Sequence, residues 1–311
     1  MTVLEEKQVI EGPKGTLYSK YLTRLPPGSS IDYRAWLFGQ PHSLNKERLL
    51  ELTLLAFPPE ERGIIHFQME NSEESFKKIL DQPLPKLPEV FFTQTSYTYE
   101  HPGHFYLIFA DPSALGGHFR SWGNDQEELM FYEFPKLAHL NYAREGRAFT
   151  GPFLIPDLKR EISLFHLEGD LLEKTSLEEI RAKIEYLDVQ KQPSIHVLGI
   201  PEASLGRENI NHHLLLRHIF LAFDGAKMFS LEKKPVIHTL SAGKTITLLL
   251  LLGATLAEVD IVFENMDHHP PESFLEEAKR LIAEKRNGAD LLAFLVEKQK
   301  SDPHGEFKNG S

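Results

Sequence analysis

Asp111, Glu127 and Glu128 are the carboxylates whose setting invites chemistry. Asp111 follows the apolar run Phe105–Ala110, and the two glutamates stand side by side after Gly123-Asn124-Asp125-Gln126. Adjacent carboxyls raise one another's pKa, so one stays protonated near neutrality while its neighbour is ionised. Such a pair can protonate a leaving group and then activate water, as in glycoside hydrolysis. Between the acids lies Gly116-Gly117. A glycine turn leading to a helix start offers backbone amides to an anionic ligand. Taken one at a time, each residue has a plainer account. Asn124 and Glu127 have the spacing of a capping-box variant, a first-turn acid such as Glu128 suits the helix dipole, and Gly-Gly is an ordinary turn.

The elements that must position these groups follow from pattern. Phe105–Ala110, bounded by Asp111-Pro112, reads as a buried strand, and Leu129, Met130 and Phe131 begin a short helix that Pro135 closes. A second strand–turn–helix unit runs from Lys234–Leu240 through Ser241-Ala242-Gly243-Lys244-Thr245 into an apolar helix from Ile246. A helix start behind a small-residue loop is again a phosphate cradle. It is not a Walker loop, because His238 stands where that motif requires glycine.

The wider chain alternates strands and helices. Strands are expected at Val90–Phe92, Ser194–Ile200 and Val259–Phe263, and helices at 209–223 and 273–285. A surface helix is expected over 168–187, and the polar patch 141–147, with Arg144 and Arg147, reads as exposed. Residues 1–80, punctuated by Gly12-Pro13, Gly15 and Pro26-Pro27-Gly28, read as a partly helical accessory region with much loop, its helices near 45–55 and 72–80. A proline-rich connector opens the main unit, 81–298, and a polar tail covers 299–311. Alternation of this kind implies an α/β sandwich with helices on both faces of a sheet.

Ala110-Asp111, the glycine turn, and Gln126-Glu127-Glu128 followed by Phe131 and a proline resemble the signature of poly(ADP-ribose) glycohydrolase-type macrodomains. In that family a strand ending Phe-Ala-Asn leads to a triple-glycine loop and Gln-Glu-Glu. The resemblance covers roughly 97–294, with two departures in the first loop: Asp111 replaces the asparagine, and there are two glycines. It implies a macrodomain-like α/β/α sandwich with a mixed central sheet. It also implies that Gly116, Gly117 and Gln126 of the first loop bind ADP-ribose together with Ser241, Ala242, Gly243, Lys244 and Thr245 of a second diphosphate loop. The family's loop carries a phenylalanine near Thr245. Glu100 has the spacing of the family's adenine-contacting acid and reads equally as a solvated turn acid.

The implied activity is cleavage of the distal ribose C1″ bond of ADP-ribosylated protein, with Glu128 as general acid and base and Glu127 orienting the sugar. Asp111 would position the ribose or share the proton transfer, and a third acid favours a cationic, arginine-linked mono-ADP-ribosyl acceptor over polymer. The competing expectation is a macrodomain that binds ADP-ribose without hydrolysing it.

Composition bounds the alternatives. A net charge of −11 over 311 residues argues against nucleic-acid binding. With no cysteines, zinc fingers, thiolate nucleophiles and disulfides are excluded. His212, His213 and His218 miss the i,i+4 spacing for chelation and His268-His269 has no carboxylate partners, so no metal is expected, and no cofactor. The start of the chain lacks a signal-peptide pattern, and the most apolar stretch, 246–257, is too short to span a bilayer. A soluble protein is expected, cytoplasmic or a secreted effector acting in a host cytosol.

Overall fold

The computed structural model describes residues 4–25, 33–36, 43–57, 63–93, 97–110, 126–144, 147–164, 167, 171–201, 211–230, 234–240, 244–264, 272–285 and 287–301. It is a mixed α/β protein built on a nine-stranded sheet of order β1-β2-β3-β6-β9-β5-β10-β11-β4. The strands are β1 (Leu4–Glu11), β2 (Leu17–Arg24), β3 (Ile64–Glu70), β4 (Val90–Phe92), β5 (Phe105–Ala110), β6 (Phe153–Lys159), β9 (Ser194–Pro201), β10 (Val236–Leu240) and β11 (Asp260–Glu264). A separate hairpin joins β7 (Ile162–Leu164) to β8 (Ile184–Tyr186). From β9 through β5, β10 and β11 to β4 the strands run parallel. From β1 to β9 on the other side each pair is antiparallel.

Alternation along β5 explains the layering. Phe105 and Leu107 point into one core and Tyr106 and Ile108 into the other, as side chains on successive strand residues must. The first core takes α7 (His212–Phe229) and α8 (Lys244–Ala257), with Ile219, Phe220, Leu249 and Leu252 fully buried. The second takes α3 (Gln126–Glu133) and α4 (Pro135–Ala143), through Leu129, Met130, Phe131 and Leu137. Helices therefore cover both faces, as parallel strands buried on both sides require. A Cβ on Gly253 would stand 2.4 Å from Ile219 Cγ2, so a glycine there lets α8 cross α7 closely.

The N-terminal region differs from its expected loop-rich character. Gly12-Pro13 and Gly15 form the turn of a hairpin rather than a loop: Gly12 N–H donates to Thr16 O (2.8 Å), and Gly15 adopts φ of 71°. β1, β2 and β3 then extend the main sheet through Phe67↔Leu154. The two expected helices are present as α1 (Leu44–Leu52) and α2 (Glu73–Leu80). The single surface helix expected over 168–187 is instead α5 (Leu171–Lys174), α6 (Leu177–Ala182) and strand β8. Ser176 and Glu179 close a capping box that starts a new helix at Leu177. Arg144, expected on the surface, is buried, its guanidinium 4.2 Å from the centre of the Phe149 ring. The cause is α4, which Arg144 caps and which is buried at every residue but Lys136. The last two helices are α9 (Glu272–Glu284) and α10 (Gly288–Ser301). Among the described residues no helix is long and apolar enough to cross a membrane.

Candidate functional site at the carboxyl edge of the sheet

Both stretches singled out in the sequence leave the sheet from neighbouring strands at the same edge. β5 ends at Ala110 and β10 at Leu240, and the two pair in parallel at Ile237↔Phe105 and His238↔Tyr106. After β5 the chain returns as α3, against the Tyr106 and Ile108 face. After β10 it returns as α8, against the Phe105 and Leu107 face. Connections that turn to opposite faces from adjacent strands leave a crevice outside their carboxyl ends, where open α/β sheets bind ligands.

The pairing of these strands sharpens that geometry. β5 pairs with β9 along its whole length, and β10 with β11 along its own, but the β5–β10 ladder stops at His238↔Tyr106. Beyond it the Tyr97 hydroxyl bridges the two strands, donating to Leu107 O (2.7 Å) and accepting from Leu240 N–H (3.1 Å). The ring is held by an edge-on contact with Tyr106 at 5.2 Å. A side chain thus replaces the ladder just before β10 ends.

The far end of α3 is anchored. Glu133, buried, accepts from Leu164 N–H (2.9 Å) and pairs with the Arg160 guanidinium, and its carbonyl accepts from Glu161 N–H (2.9 Å). Pro135 does not merely end α3 but starts α4, taking a first-turn position where its missing N–H costs nothing. These contacts fix the C-terminal end of α3 against β7 and the turn before it.

Gln126, Glu127 and Glu128 are the opening residues of α3, and their side chains lie outside the described residues, as does that of Lys244, which opens α8. Thr245 follows it and is half-buried. Asp111, Gly116, Gly117, Ser241, Ala242 and Gly243 also lie outside the described residues. Glu100 is exposed and comes just before the turn that enters the amino end of β5, where Gly103 N–H donates to Ser194 O (2.8 Å). The length of that strand, roughly 17 Å, separates this turn from the loop exits. The structure therefore brings the two loop-and-helix units to one edge and leaves Glu100 at the other end of β5.

Sequence reasoning passed over a buried polar row on the Tyr106 face: His104, His238 and Glu264, with Tyr106 stacked on the His238 ring at 4.6 Å. Burial raises the Glu264 carboxyl above the usual carboxylate range and lowers both imidazoles. Glu264 is the last residue of β11, in register with Leu240. The available signal was a histidine and a glutamate breaking otherwise apolar strands. Among the described residues no group of histidines and acids could hold a metal ion. No family model and no curated protein matches the chain.

Proposed function

We propose that the protein is an ADP-ribosyl glycohydrolase with a macrodomain-like α/β/α arrangement, acting on mono-ADP-ribosylated, arginine-linked protein rather than polymer. The observation that carries this reading is the parting of β5 and β10 at their carboxyl ends. There two loop-and-helix units exit side by side, one opening its helix with Gln126-Glu127-Glu128 and the other with Lys244-Thr245. The pyrophosphate lies across that edge. Each amide hydrogen bond to a charged phosphate oxygen contributes about 1.5–3 kcal/mol, which accounts for anion binding by a chain of net charge −11.

In the reaction, protonated Glu128 gives its proton to the leaving nitrogen as the ribose C1″–N bond breaks, and positive charge develops on the ring. The resulting carboxylate takes a proton from the attacking water, whose oxygen bonds C1″, so Glu128 ends as it began. Products are ADP-ribose and free arginine side chain. Glu127 holds the ribose hydroxyls and by its charge keeps Glu128 protonated at neutral pH. Asp111 positions the ribose and favours the cationic acceptor.

The test is release of ADP-ribose from arginine-linked, serine-linked and polymeric substrates by the wild type and Glu128→Gln. The reading expects arginine-linked turnover, cut about 10²–10⁴-fold in the variant with ADP-ribose affinity retained. Efficient polymer turnover without arginine-linked activity overturns the substrate assignment. ADP-ribose binding without any turnover makes the protein a reader.

A further inference from the structure

A chain of hydrogen bonds crosses the sheet face from its surface to its carboxyl edge. His238, 3 % exposed, uses both ring nitrogens: Nδ1 bonds Glu264 Oε1, and Nε2 lies 2.7 Å from His104 Nδ1. Glu264 is as deeply buried as His238, whereas His104 is half-buried and keeps Nε2 on the side away from His238. His101, exposed, stacks on His104 at 5.0 Å and on His238 at 5.5 Å, and Tyr106 covers the other approach to His238. Parallel register makes the row diagonal. His238 pairs with Tyr106, two residues past His104, and with Val262, two residues before Glu264.

We infer that Glu264, His238 and His104 form a proton relay between solvent at the amino end of β5 and the carboxyl end of β11. The transfer balances without a charged imidazole in either resting state. With Glu264 ionised, His238 Nδ1–H donates to it and His104 Nδ1–H donates to His238 Nε2. A proton arriving at His104 Nε2 releases the Nδ1 proton to His238 Nε2, and His238 releases its own Nδ1 proton to Glu264. The carboxyl then donates to His238 Nδ1, His238 Nε2–H donates to His104 Nδ1, and His104 carries its hydrogen on Nε2. One proton has entered, one negative charge has gone, and both rings have changed tautomer. The relay gives a buried acid at the loop-bearing edge an exchange path to water, whatever ligand that edge holds. Among the described residues the ionisable groups facing the row include Tyr106 on β5 and His101 and Glu100 in the turn before it. Burial makes ionised Glu264 costly, so the exchange falls above the ordinary carboxylate range.

Nitrogen-15 NMR of histidine-labelled protein between pH 5 and 9 tests this without any substrate. The relay requires His104 and His238 to pass together from the Nε2–H to the Nδ1–H tautomer at one shared midpoint as pH rises. In Glu264→Gln, whose amide keeps a hydrogen-bonding partner for His238, the switch disappears. In His104→Gln, His238 no longer shares a midpoint with any surface group. Separate midpoints for the two rings, tautomers fixed across the range, or a switch that survives Glu264→Gln would overturn the relay. The wild-type titration decides alone should a variant not fold.

Discussion

Acid should destabilise this protein through histidines that burial keeps neutral, His66 and His139 adding to His104 and His238. His66 is fully buried and its Nε2 accepts from the Arg144 guanidinium at 3.3 Å, so burial and then the Arg144 charge lower it to about 3. His139 is 5 % exposed and donates from Nε2 to Phe57 O at 2.8 Å, and burial lowers it to about 4. In the unfolded chain both titrate near about 6.5. Between the folded and unfolded values the unfolded state binds more protons, so stability falls as pH drops below about 6.5. At pH 5 the difference is roughly 1.5 pH units per group, or about 2 kcal/mol each at about 1.4 kcal/mol per unit. Together that is about 4 kcal/mol, a large part of the roughly 5–15 kcal/mol typical of a folded domain. Glu264 has the opposite sign, since its raised carboxyl stabilises the fold below about 4.5 and loses that contribution as pH rises through its folded value. A comparison with a variant separates the terms. Urea unfolding of wild type and His139→Gln at pH 7.5, 6 and 5 should show the variant losing less stability on acidification, by about 2 kcal/mol at pH 5. Equal pH slopes for the two proteins would refute the argument.

Other perturbations follow from the packing. Gly253→Ala should lower stability by about 1–3 kcal/mol, because the added methyl meets Ile219 Cγ2 at the α7–α8 crossing; an unchanged melting temperature would contradict that contact. Tyr97→Phe removes the hydroxyl that bridges Leu107 O and Leu240 N–H. It should cost about 1–3 kcal/mol of stability and weaken ADP-ribose binding more than a distant substitution of equal cost, such as Gly253→Ala. Equal effects of the two on affinity would separate Tyr97 from the site.

What could be read in the sequence depended on periodicity. Phe105–Ala110 is a continuous apolar run between clear breakers and is found at those bounds, whereas the apolar helix expected from Ile246 begins two residues earlier, at Lys244, taking Lys244 and Thr245 out of the expected loop. β1 was not legible, because residues 6–11 at the sheet's edge are exposed except for half-buried Ile10 and give no buried face to set a period. Arg144 was misjudged for the converse reason: it caps the C-terminus of α4, a helix buried at every residue but Lys136, so its charge stacks on Phe149 instead of marking a surface. The neighbouring exits of β5 and β10 could not be deduced locally, since strand order is a property of the whole sheet. The row His104, His238 and Glu264 exists only through the registers of three strands. No spacing along the chain signals it.

The proposed function requires an anionic nucleotide held across the parted ends of β5 and β10. Calorimetric titration of the intact protein with ADP-ribose tests this most directly. Saturable binding at one site per chain is expected, weakened by Tyr97→Phe and retained in Glu128→Gln. Absence of binding by the folded wild type would contradict it.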